Sequence, residues 1–252
     1  MYTDKDYEEL DQEEQKLNAE LMAALIMLLK DGKDELENEV IHFYTKYGHN
    51  GVVSYKDARK RVSLKDKRLR INVLYLTTAK ILDATFTILQ HKIEDYLTNN
   101  IKRELDFFKL DLDPLDFINK PWGDDKLNWS NRLWNMREKW EYTLRDDFLL
   151  SVAKGQSFAQ LYKQLTKRFA SMDKALIRLV EAETTAMRSI VREKAFRELG
   201  ATKYQYFTQA DERTCETCGA LHGMIFPMSA FTIGVTAPPI HPHCRDWIVP
   251  II

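Results

Sequence analysis

The chain is predicted to be mainly α-helical, an elongated helical body followed by a small C-terminal α+β region of zinc-knuckle type. Three observations point there. Apolar residues recur at helical spacing over most of the first 200 positions. Only nine glycines and seven prolines interrupt 252 residues. All three cysteines and three of the six histidines fall between Asp211 and Asp246. An apolar fraction of 44% and a charged fraction of 30% suit a chain that folds along most of its length. The longest apolar run, Leu21–Leu29, is shorter than the ~20 residues that span a bilayer, and the acidic N-terminus lacks the basic start of a signal peptide. The expected setting is intracellular, where three cysteines stay reduced or bind metal.

Taken in order, residues 6–47 are rich in Glu, Leu, Ala and Lys. They predict one or two amphipathic helices with Leu17, Leu21, Leu25 and Leu28 on one face. The stretch Tyr47–Gly51 (YGHNG) predicts a turn. Ile71, Leu74, Thr78, Ile81, Thr85 and Ile88 alternate steps of three and four, a narrow stripe for a helix reaching about Leu97 that packs on another long helix. Leu110–Gly123, with two prolines and a glycine, marks a boundary. Leu133, Met136, Trp140, Leu144 and Phe148 then predict a helix over 129–150 with a core-facing stripe.

Ser157 and Gln160 form a capping-box pattern opening a short helix through Phe158, Leu161, Leu165 and Phe169. A further helix is predicted from Asp173 to Leu199, closed by Gly200, with Leu176, Val180, Met187 and Ile190 inward. Glu183 lies on the same inward stripe, so its carboxylate must find a partner. Short β-prone pieces follow at 204–208, 224–226 and 247–251. The domain organisation expected is a helical arm over 1–110, a helical core over 111–200 and a β-rich zinc-binding region over 201–252.

Charge is segregated although the net charge is −1. The first 39 residues hold thirteen acids against four bases, Ser54–Arg70 holds eight bases against two acids, and Lys154–Lys203 holds eleven against five. Such blocks are usually solvated helix faces, but they can also meet a polyanion.

The chemistry sits in the last fifth of the chain. Cys215 and Cys218 have the Cys-x2-Cys spacing that lets one tight turn place two thiolates about 2.3 Å from a zinc ion. Twenty-two residues separate them from a second pair, His241 and Cys244, at the same spacing. The four make a closed tetrahedral structural site, with His243 and His222 as competing fourth ligands. Metal binding would supply folding energy to strands too poor in apolar mass to hold themselves. An HNH-type nuclease would need a further helix carrying a metal-binding histidine or asparagine, and only eight residues follow Cys244.

These residues resemble the phage head morphogenesis family, the Mu F-like minor head or minor capsid proteins. The similarity rests on Asp211, Glu212, Arg213, Thr214, Cys215 and Cys218, then Leu221 and Gly223, then Pro238, Pro239, His241, Pro242, Cys244 and Arg245. Upstream, Trp122–Trp134 is similar to the family's Trp, Asp-Gly and Ser-x-Arg-x-Trp segment, and Glu183-Thr184 to its Arg-Thr-Glu-Thr helix. The chain departs from the pattern at Asp246, where the family has a cysteine, at His243, where asparagine is commoner, and at Glu181, where it has arginine.

The resemblance implies a non-enzymatic structural protein of the virion. It would act at the head interior or portal vertex, after assembly in the host cytoplasm, and support procapsid assembly, packaging and DNA ejection. The partners implied are the portal protein and the major capsid or scaffolding protein. The basic blocks add non-specific DNA as a second reading.

Overall fold

The computed structural model describes residues 4–252 except Leu64, Lys67 and Ala210, and describes Asp4 in its backbone alone. Leu64 and Lys67 of the basic stretch 54–70, and the first three residues of the expected arm, lie outside the described residues. The protein is 67% helical, with a three-stranded antiparallel sheet near the C-terminus. In chain order the elements are α1 (Asp4–Tyr47), α2 (Tyr55–Ala58), α3 (Arg70–Phe107), α4 (Leu115–Ile118), α5 (Trp129–Ala153), α6 (Phe158–Glu198), β1 (Lys203–Phe207), α7 (Glu216–Leu221), β2 (Ile225–Pro227), a 3-10 turn (Met228–Ala230) and β3 (Trp247–Ile251).

The residues form two compact units. One comprises Met1–Ala23, His91–Arg132 and Leu176–Ile252, and the other Ala24–Gln90 and Leu133–Ala175. The second unit shows why the stripe on α3 is narrow and partly polar. Gly32 of α1 faces Thr85 of α3 so closely that a Cβ at residue 32 would overlap the threonine Oγ1. A mid-helix glycine, costly by itself, is the condition for that approach. Phe86 packs edge-on against Trp140 of α5 at 5.0 Å, and Arg137 reaches Asp83 at 2.8 Å. The YGHNG turn is a tight hairpin: His49 bridges Val52 across Asn50 and Gly51, both at positive φ.

Two expectations about the helices need correction. Ile88 is 48% exposed. The buried stripe passes instead through Leu82, Phe86, Leu89, Ile93, Leu97, Ile101 and Leu105, and α3 continues to Phe107. A strict alternation of three and four lags the true 3.6-residue turn, so a stripe extrapolated over five turns slides off the packed face. The two helices expected after Gly155 are one, α6. Ser171-Met172-Asp173 contains no residue that stops a helix, Met172 is buried, and Asp173 is anchored by Lys33. The capping box at its start forms: Ser157 N–H donates to Gln160 Oε1 at 2.8 Å. At its end Gly200 takes φ +77°, and Ala201 N–H closes on Phe196 O at 2.9 Å.

The first unit holds the sheet. Its strand order is β2-β1-β3, with Tyr204 opposite Phe226 and Pro250, and Tyr206 opposite Ile248. The strands lie within a residue of those read from the sequence. Tyr204, Tyr206, Ile248 and Val249 pack on Phe196, Ala195, Phe108 and Tyr7, so the sheet is backed by α6, the end of α3 and the start of α1.

Candidate metal centre

Within this unit α6 carries one stretch that is buried all round. Residues 183–189 are all buried, although five of the seven are polar or charged. A helix of that kind survives only if each polar group finds a partner. Glu183 does, as expected from its place on the stripe. Trp122 Nε1 donates to one carboxylate oxygen at 2.7 Å and Arg132 Nη1 to the other at 2.6 Å. Arg132 lies 4.3 Å over the Trp122 ring, donates to Trp122 O and pairs with Asp125. Burial pushes the Glu183 carboxyl up, against Trp122 and Arg132, which pull it down.

One helical turn on, Arg188 and Arg192 meet three buried acids, Asp11, Glu14 and Glu104. Arg192 donates to both oxygens of Glu104 at 3.0 and 2.9 Å and to Asp11 at 3.1 Å. Arg188 donates to Glu104 at 2.9 Å and also pairs with Asp11 and Glu14. The three carboxylates are close enough to bind a cation, but two guanidinium groups already serve them. The sequence reading missed this network. Tyr7, Asp11, Glu14 and Leu21 share one helical stripe, and two charged positions on it read as surface.

The cysteine and histidine residues converge beside α6. The loop after β1 is organised by Asp211: Oδ1 accepts Arg213 N–H at 2.9 Å, and Arg245 clamps the carboxylate at 2.8 and 2.6 Å. Arg245, by this pairing, holds the Asp211 carboxyl down at about 2. Thr214 donates its hydroxyl to Gln209 O, fixing the residue before the first cysteine. Cys215 is the N-cap of α7, and its sulfur accepts Cys218 N–H at 3.4 Å. That contact lowers the Cys215 thiol from its ordinary value. The capping turn is also what aims both sulfurs to one side.

From the second half-site, His241 Nε2 stands 3.1 Å from each of the two sulfurs. Its Nδ1 lies 2.7 Å from Pro242 O, so the N–H sits on Nδ1 and the Nε2 lone pair faces the thiols. Cys215, Cys218 and His241 have donor atoms all within 4.8 Å of one another. Cys244 reaches this group through Cys218, at a sulfur separation of 3.9 Å. For comparison, the edge of a tetrahedron with 2.3 Å arms is about 3.8 Å. Thr185 of α6 donates to Cys244 O at 3.1 Å, tying the second half-site to the helix.

The other two histidines are placed elsewhere. His243 takes φ +66° and pairs with Glu181, and His222 Nδ1 accepts Thr208 N–H at 3.2 Å. The left-handed backbone at His243 suits asparagine best among non-glycine residues, in keeping with the commoner family residue there.

Asp246, Tyr206 and Thr208 complete the surroundings. Asp246 is 4% exposed; Tyr206 OH donates to it at 2.5 Å, Thr208 Oγ1 at 2.7 Å and Cys244 Sγ at 3.1 Å. Cys218, Cys244 and Asp246 also have donor atoms within 4.8 Å of one another. Burial, then the Asp246 charge, pushes the Cys244 thiol up to about 11. Burial likewise raises Cys218 well above the ordinary thiol range. A cation would reverse both shifts, because a metal takes thiols as thiolates. The sequence signal for Asp246 was its place two residues after Cys244; for Tyr206 and Thr208 there was none.

Neither a curated protein nor a solved structure matches the chain. Residues 142–248, which contain the C-terminal part of α5, all of α6 and both half-sites, match the model of the family described as Phage Mu protein F like protein, the family that the sequence resembles.

Proposed function

We propose that this protein is a structural minor head protein of a tailed phage or prophage, associating with the portal and supporting procapsid assembly and genome packaging or delivery. The family match over residues 142–248 carries that reading. Its C-terminal region serves as a clasp. A zinc ion held by Cys215, Cys218 and His241, with a fourth donor from the Cys244 and Asp246 pair, fastens the loops around the sheet to α6. Soft thiolates with imidazole suit zinc. Cys215, Cys218 and His241, from segments far apart in sequence, have donor atoms within 4.8 Å of one another, and that convergence supports a structural zinc site.

Co-expression with the portal protein of the same gene cluster tests the assignment. A complex stable through size exclusion is expected, and portal assemblies that never retain this chain would remove the portal role. Metal analysis tests the clasp. About one equivalent of zinc per chain is expected on chemical grounds, and less than about a tenth, with folding indifferent to chelator, would remove it.

A further inference from the structure

We infer that a cavity beside the start of α1 receives an arginine side chain from a partner protein. The inference goes beyond the functional reading above and needs neither zinc nor the portal to hold. The cavity measures about 400 Å³ within the sheet-bearing unit, in the range of small-ligand pockets. It is lined from α1, from the end of β1 and the loop after it, from the residue that closes α7 and from the start of β3.

Two half-buried rings form a platform in it. Phe207 and Trp247 are partners across β1 and β3, so their side chains stand on one face of the sheet, and the rings lie 12° from parallel with centres 6.0 Å apart. His222 stands edge-on to Phe207 at 5.6 Å and 87°, a wall at right angles to the platform. Among the described residues no lysine or arginine lines the cavity, and three carboxylates do. A flat aromatic surface edged by carboxylates fits a planar cation, which rests on the ring faces and donates sideways to the oxygens.

Two of those carboxylates have acceptor capacity to spare. Asp211 is already clamped by Arg245. Glu8 is exposed, takes part in no ion pair among the described residues and accepts the Gln12 amide at 3.3 Å. Asp11 is 3% exposed; its Oδ1 serves Arg188 and Arg192, while its Oδ2 has no hydrogen-bond partner among the described residues. A buried carboxylate oxygen without a donor is unusual, and a guanidinium brings five N–H groups from which to supply one. Charge selects a protein rather than a nucleic acid as the source. From Asp4 to Glu20, α1 holds eight acids against two bases, and this stretch forms one side of the cavity. Phosphate is repelled from such a field, whereas a basic protein segment is steered into it.

Blocked glycine pentapeptides with a central arginine, lysine or citrulline stand in for the partner segment. The indole N–H resonance of Trp247 in the full-length protein, assigned by its loss in Trp247→Phe, reports on the cavity. The arginine peptide is expected to shift that resonance saturably. Citrulline keeps the shape and loses the charge, and should bind at least about 10-fold more weakly, the loss that one charge-assisted hydrogen bond accounts for. Lysine should fall between them. Glu8→Lys should weaken the arginine peptide by at least about 10-fold through like-charge repulsion. Glu13→Lys, the same charge change at an exposed position outside the cavity, should stay within about threefold at physiological salt. Circular dichroism verifies that both variants fold. Citrulline binding as tightly as arginine would overturn the cation reading, and lysine binding as tightly would overturn the guanidinium. Equal losses in the two charge variants would overturn the cavity as the site, and no shift with any peptide would overturn the inference altogether. Each of these failures leaves the head-protein assignment and the zinc clasp untouched.

Discussion

Arg192 is the residue whose loss should unfold the sheet-bearing unit most directly. It is 1% exposed and makes its contacts through three nitrogens: two to Glu104, one to Asp11, and one to Ile248 O at 3.4 Å on β3. Its guanidinium also lies 5.7 Å from the centre of the Tyr7 ring. In Arg192→Met the aliphatic volume is kept, but the buried carboxylates of Asp11 and Glu104 are left with Arg188 alone. Removing one partner of a buried ion pair costs about 3–5 kcal/mol, because the remaining charges stay buried without compensation. With a urea slope of roughly 3 kcal/mol per molar for a chain of this size, the midpoint should fall by about 1 to 2 M. The assay is urea unfolding followed by tryptophan fluorescence and circular dichroism, at fixed metal loading. Exposed Arg178→Met serves as the control and should shift by less than about 0.5 kcal/mol. The double variant Arg192→Met, Glu104→Met should recover part of the loss, since it removes the stranded carboxylate together with its cation. An Arg192→Met midpoint equal to that of the control would refute the claim that these charges hold α1, α3 and α6 of this unit together.

Glu14 should make stability pH-dependent in the same network. Burial, then Glu104, pushes its carboxyl well above the ordinary value, so the folded state keeps this proton to a higher pH than the unfolded chain. Its contribution is full below about pH 4.3 and is lost as pH rises toward the folded value. Glu14→Gln should therefore gain on wild type as pH rises from about 5 to 8, and parallel stability curves would refute the assignment. Gly32→Ala should destabilise by about 1–3 kcal/mol through overlap with Thr85. Adding Thr85→Ala should restore most of it, as read by thermal denaturation. Cys215→Ser should abolish the stabilisation that zinc gives the wild type, measured as the melting-temperature difference with and without chelator. An unchanged difference would exclude Cys215 from the centre.

Much of this fold was legible because its local signals agree with its packing. Ser157 and Gln160 announced the start of α6, Gly200 its end, and Tyr47–Gly51 the turn after α1. The paired three-residue spacings of Cys215, Cys218, His241 and Cys244 located the candidate centre. The features that escaped are those in which a residue's role depends on a distant partner. Asp11, Glu14 and Glu104 have ordinary surface chemistry and become interior groups only because α6 brings two arginines to them. Glu183 was legible as a residue in need of a partner, but Arg132 and Trp122, 51 and 61 positions away, were not legible as that partner. Asp246 lies next to Arg245, a neighbour that would suggest an ion pair; Arg245 instead turns to Asp211.

The same network bears on the DNA reading. The block Lys154–Lys203 looked like a single basic surface, yet its charges divide along α6. Beyond Leu176, Arg188 and Arg192 are spent inside the protein, and Lys194 and Arg197 pair with Glu198 and Glu193. Before it, Lys163, Lys167 and Lys174 are exposed, and Arg168 is half-exposed and braced by Asp147. Of the block's other bases beyond Leu176, Arg178 and Lys203 are exposed and lie outside these pairs, so phosphate contacts from it would draw on those two and on the lysines before Leu176. Each phosphate neutralised adds about 0.9 to the salt slope on duplex DNA. A shallow slope, insensitive to chelator and lowered by neutralising Lys163, Lys167 and Lys174, is the outcome consistent with this division. A steep slope that vanished on zinc removal would instead place the polyanion contact at the clasp.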